Sequence, residues 1–190
     1  MNVGKVPIAM SELRAEFGLS LVTAGWVSST INTLSITMAL LFGVLCDRLG
    51  ALRMCLAGLG FGILGGLGGL VAGDEAALLL SRFAEGVGVV SVVVSAPALL
   101  SSAAAPMDRR FALGIWSAYL PAGVGLVMLL APVLMPFAGW RGIWVLILAV
   151  LLIAALAIHR SRRAYRLPVP AIMNTHPFAG AKAVLAQREP

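Results

Sequence analysis

Arg82 and Glu85 stand three residues apart in a stretch, 76–104, that is otherwise uncharged. At that spacing a base and an acid share one side of a helix. Gly86, Val89 and Val93 lie within about 40° of Arg82 at 100° per residue. A charge inside an apolar span costs ~2.5–3.5 kcal/mol on insertion scales, so it ordinarily faces a cavity or a partner. Two readings stay open: Arg82 lines a cavity, or it pairs locally with Glu85 near the interface, where it can snorkel. Asn32 raises a parallel choice. With Ser28 and Ser35 it forms a polar face near the middle of another apolar stretch. Such a face lines a solute path or joins helices through hydrogen bonds.

Other chemistry finds little support. Cys46 and Cys55 have no metal or redox spacing, and His159 and His176 are isolated. There is no hydrolase elbow, zinc-binding helix or aspartate pair, so the chain is not expected to be an enzyme, nor to hold a metal or cofactor. Gly60-Phe-Gly62-Ile-Leu-Gly65 matches a dinucleotide fingerprint, but no strand precedes it and no βαβ unit surrounds it. The crowded glycines fit close helix packing better, through pairs such as Gly58/Gly62 and Gly65/Gly69. Pro97 and Pro121 lie inside apolar stretches and should kink them.

The elements that carry these residues follow from composition. The 190-residue chain is 60% hydrophobic and 12% charged, with 21 glycines besides. Soluble domains are roughly 45–50% apolar with glycine included, and about 25% charged. A chain this apolar cannot cover its surface with polar groups, so lipid is its expected solvent. That excludes a disulfide scaffold, a disordered chain and nearly all soluble enzymes. The charged residues divide it into apolar stretches at about 21–46, 54–73, 76–104, 111–136 and 142–158. Each is near the ~20 residues that a bilayer requires. An all-α, polytopic transmembrane bundle is expected.

Short connections make neighbouring helices antiparallel. Arg48, Arg53, Arg109, Arg110, Arg160, Arg162, Arg163 and Arg166 then share one side, against Arg14 and Arg141 with Glu12, Glu16, Asp74 and Glu75 on the other. The basic side faces the cytoplasm. The net charge of +6 therefore reports topology and calls for no nucleic-acid partner. Trp26, Trp140 and Trp144 near outer ends, and Trp116 near an inner one, suggest an aromatic belt. Residues 1–20 are too short to span and carry Lys5, Pro7, Glu12, Arg14 and Glu16. Residues 160–190, broken by Pro168, Pro170 and Pro177, suggest a cytoplasmic linker or tail, with a short amphipathic helix near 179–187.

The inner loop between the first two stretches reads Gly43-Val-Leu-Cys-Asp47-Arg48-Leu-Gly50-Ala-Leu-Arg53. Gly-x-x-x-Asp-Arg-x-Gly-x-x-Arg at this place resembles the signature loop of major facilitator superfamily transporters. Ala24-Gly25-Trp26 looks like the opening of that family's second helix. Arg82-Phe-Ala-Glu85-Gly86-Val-Gly88 looks like its fourth-helix motif. Gly114-Ile-Trp-Ser-Ala-Tyr-Leu-Pro121 and Gly139-Trp-Arg-Gly-Ile-Trp144 are similar to its fifth helix and the start of its sixth. The flavour is closest to the cyanate and nitroimidazole permease branch. Leu52 stands where a second basic residue often precedes Arg53, and the Gly-Pro pair of the antiporter motif is replaced by Val127-Met128.

The resemblance implies an N-terminal half covering helices two to six, with residues 1–20 as the end of helix one and an outer loop, truncated at both ends. It implies secondary transport of a small, unknown solute once a second half, or a homodimer mate, is supplied. Arg82 would bind an anionic solute or respond to proton movement, with Glu85 the candidate proton carrier by elimination. An incomplete first helix would leave Arg82 exposed to lipid or water. The other reading is a membrane assembly partner, or an inert fragment, that transports nothing. A multi-pass protein of the cell (inner) membrane is expected, with a cytoplasmic C-terminus and the N-terminus outside.

Overall fold

A computed structural model describes residues 2–163 and 165, and among these the only regular elements are helices. They are α1 (Lys5–Phe17), α2 (Leu21–Leu49), α3 (Ala51–Leu70), α4 (Glu75–Ala103), α5 (Arg109–Ser117) and α6 (Tyr119–Arg160). The helix expected near 179–187, and most of the expected tail, lie outside the described residues.

Local chemistry sets the boundaries. Gly18 ends α1 in the left-handed region, at φ 62°. Ser20 caps α2 by accepting the Thr23 N–H at 3.1 Å, and Asp74 caps α4 by accepting the Ala77 N–H at 2.7 Å. Both satisfy first-turn donors that no helical carbonyl can reach. Gly50, at φ 87°, is the single residue between α2 and α3, so the first hairpin turns on one glycine.

Helices α2, α3, α4 and α6 are long and apolar enough to cross a membrane. Side chains such as Leu21, Ile36, Leu64, Val71 and Leu129 stay largely exposed. In lipid that exposure is the favoured state. α6 is two helices in series: at Gly139 the backbone takes φ 57° and ψ −163°, which no helix contains. The expected stretches 111–136 and 142–158 are thus joined by one non-helical residue where a loop was anticipated. Pro121 cannot donate to the Ser117 carbonyl four residues back, and the helix breaks at Ala118, between α5 and α6. α4 runs through Pro97 as one continuous helix.

Two expectations for residues 1–20 and 140–144 are corrected. Residues 1–20, expected as the end of a helix and a loop, are helical from Lys5 to Phe17, with Glu12 and Glu16 partnered by Trp140 and Arg141. Trp140 and Trp144 are buried, at 2% and 0% exposure, packed edge to face in a cluster with Val6, Ala9 and Leu13 of α1. They fill the α1–α6 contact and form no belt. Sequence places a residue near a helix end; it does not say which face it occupies.

Lipid tails solvate Leu as well as a neighbouring helix does, so helix association rests on close contact. α3 and α4 show how close. A Cβ on Gly65 would lie 2.7 Å from the Glu85 nitrogen, and one on Gly58 2.6 Å from the Ser91 Cβ. One on Gly88 would meet the Gly58 carbonyl oxygen and the Gly62 nitrogen at 2.6 Å. Gly69 faces Ser81 and the Trp144 indole.

Candidate functional site

Three charged side chains meet in the interior. Arg82 is 1% exposed, Glu85 0% and Lys5 1%. Glu85 takes both cations: Arg82 pairs with its Oε2, and Lys5 Nζ with its Oε1 at 2.5 Å. Lys5 also lies over the Trp144 ring, 4.1 Å from its centre, where the π-face attracts a cation. Arg82 Nη2 donates to the Asn2 carbonyl at 3.1 Å. Among the described residues, Arg82 Nε, Trp144 Nε1 and Asn2 Oδ1 are buried without a hydrogen-bond partner. α1 closes over this group, so the exposure of Arg82 expected from a short first helix does not occur.

Next to this group is a cavity of about 430 Å³. Asn32 and Ser35 of α2, Gly58 and Gly62 of α3, and Gly88, Val89, Val92 and Val93 of α4 line it. Trp116 of α5, Tyr119, Leu120, Ile147 and Val150 of α6, and Asn2 and Val3 ahead of α1 complete most of its wall. The Trp116 and Tyr119 rings are stacked, 4.5 Å apart and 14° from parallel, on either side of the break at Ala118. Ser35 spends its hydroxyl on the Ile31 carbonyl, at 2.8 Å.

Of the residues singled out in sequence, Asn32, Ser35, Gly58, Gly62, Val89 and Val93 reach this cavity, but Arg82, Glu85 and Gly86 are not in its wall. Gly86 is turned to α2, where a Cβ would lie 2.5 Å from Leu34 Cδ1. Asn2 links the two regions, since its carbonyl holds Arg82 and it also lines the cavity. Away from them, Asp47, Arg48 and Arg53 are exposed around the hairpin, while Gly43 and Gly50 have nothing within 4 Å of an added Cβ.

Sequence reasoning missed Lys5, Asn2, Trp116 and Tyr119. Nothing local pairs Lys5 with a carboxylate 80 positions away. Trp116 and Tyr119 did leave a signal: two aromatics three apart just before Pro121, on one helix face. A further tie lies at the other end of α1. Glu12 Oε2 accepts the Trp140 N–H at 2.8 Å, satisfying a donor exposed by the Gly139 break. Glu16 accepts from Trp140 Nε1 at 2.8 Å and forms a two-pronged pair with Arg141, at 2.6 and 3.0 Å. Hydrogen bonds from Arg141 and then Trp140 hold the Glu16 carboxyl below its ordinary value of 4.5.

The family model of the Major Facilitator Superfamily matches residues 1–189. The sequence is 30% identical over 173 residues to a puromycin resistance protein of Streptomyces alboniger, covering 87% of this chain and 34% of that protein. It is 26% identical to a methylenomycin A resistance protein of Bacillus subtilis, covering 77% and 32%. To a Bacillus subtilis protein named provisionally as a niacin/nicotinamide transporter it is 29% identical, covering 74% and 35%. The chain spans about a third of the length of these relatives.

Proposed function

The chain belongs to the major facilitator superfamily, and from that premise we propose that it serves secondary active transport of a small solute across the cell membrane. It works as one half, or part of one, with a second half or a second copy completing the solute path. The observation that carries this reading is the cavity bounded by α2, α3, α4, α5 and α6, because a path between two halves needs a concave face on each. The relatives' names, two for drug resistance and one for transport, support movement of small organic solutes. A place beside the cyanate and nitroimidazole permeases rests on the motifs alone.

Within this reading Arg82 and Glu85 form the coupling group, acting on the cavity through Asn2. The loop from Gly43 to Arg53 gates the cytoplasmic side, and the C-terminus is cytoplasmic. Reconstitution tests the proposal. The chain in liposomes, alone and with a candidate second half, is assayed for solute uptake, with Arg82→Ala in parallel. Uptake that Arg82→Ala reduces at least ~10-fold, about 1.4 kcal/mol, supports both statements. Uptake untouched by Arg82→Ala removes the coupling role. No uptake in any pairing leaves the non-transporting assembly partner as the reading.

A further inference from the structure

We infer that the cavity takes an uncharged solute with a planar aromatic ring, held against Trp116 and Tyr119 and hydrogen-bonded by side-chain amides. The inference rests on the transport reading and deepens it. The cavity's shape, its polar groups and its charge carry it. The volume, about 430 Å³, falls in the ~300–1,000 Å³ range of small-molecule pockets. On one wall the two rings are already stacked on each other. Such a pair has fixed geometry and offers a π-face to a further ring in the offset-stacked arrangement that aromatics prefer.

The polar groups supply the second observation. Asn2 is 8% exposed, lines the cavity, and its Oδ1 lacks a hydrogen-bond partner. A buried acceptor left this way is unfavourable unless a donor reaches it. Asn32 lines the same cavity, and no hydrogen bond of its side chain occurs among the described residues.

Charge supplies the third. No charged side chain lines the cavity among the described residues. The nearest ions, Lys5, Arg82 and Glu85, are committed to one another. They lie outside its wall, so an anion or an organic cation entering here meets no charged side chain of the wall and would surrender its hydration without replacement. An uncharged amide-like solute loses little.

An isosteric series tests this on the purified chain in lipid nanodiscs, by equilibrium binding of radiolabelled benzamide. Benzoate, benzamidinium and cyclohexanecarboxamide compete, and they alter charge or aromaticity at nearly constant size. Benzamide should bind, with each charged analogue about tenfold weaker or worse and cyclohexanecarboxamide about three- to tenfold weaker. Tyr119→Leu, at a site 40% exposed, should weaken benzamide about three- to tenfold. Benzoate or benzamidinium binding as tightly as benzamide overturns the inference. So does equal binding of the saturated ring, indifference to Tyr119→Leu, or no binding by any probe. The transport reading fails separately: the expected series, with no uptake in any reconstituted pairing, leaves a binding site without transport. Uptake together with an inverted series leaves transport with another class of solute.

Discussion

Two cations facing one carboxylate make Glu85 and Lys5 unequal partners. Glu85→Gln would leave Lys5 and Arg82 buried without an anion, and breaking a buried pair from one side costs about 3–5 kcal/mol. Lys5→Met keeps the Arg82–Glu85 pair and removes the surplus charge, so its cost should be under about 1.5 kcal/mol. Thermal unfolding of both variants in detergent micelles measures the contrast; equal losses would contradict it. Glu16 gives a pH test. Its folded carboxyl is held below 4.5 by Arg141 and Trp140, so its contribution is complete above that ordinary value and is lost as pH falls through the folded one. Glu16→Gln should lower stability at neutral pH and flatten the acid limb of the unfolding curve. At this scale sequence was informative about type and silent about company. Arg82 announced itself as a charge among apolar residues. That a lysine 80 positions before Glu85 would share its carboxylate is a fact of helix packing, which no local spacing encodes.

Helices α3 and α4 supply a paired prediction. Gly65→Ala would force a methyl to 2.7 Å from the Glu85 nitrogen and 2.8 Å from the Ser81 carbonyl oxygen. Both are backbone atoms that cannot swing aside, so overpacking should cost about 1–3 kcal/mol. Gly60→Ala, in the same helix with nothing within 4 Å, should be neutral or gain up to about 1 kcal/mol from helix propensity. Chemical unfolding of the two variants tells them apart. The hairpin was legible as a short loop over 47–53 whose second glycine, Gly50, suits a positive φ, but not that α2 and α3 run up to either side of that one residue. The glycine stripe of α3 was legible too, by its four-residue pairs. The extent of α1 was not: Glu12, Arg14 and Glu16 argue against a span, and the partners that accommodate Glu12 and Glu16 lie more than 120 positions away. Nor was the joint at Gly139, where one residue with φ 57° does the work expected of a loop.

For the molecule as a whole, net charge, hydropathy and loop basicity point to one orientation. A reporter fused after Pro190 should be cytoplasmic, and signal from the outer side would reverse the topology. The bundle's apolar exterior was legible from composition, since only lipid tolerates it. The cavity was not, because its wall draws single residues from helices far apart in sequence. The contacts of α1 also have a consequence for the order of assembly. Glu12 and Glu16 are synthesised early, yet their partners arrive 128 and 124 positions later. Domains form from the N-terminus forward during synthesis, so these two carboxylates gain their partners only once the chain has reached Trp140. The tie therefore closes a loop of more than 120 residues, after α2 to α5 have been made.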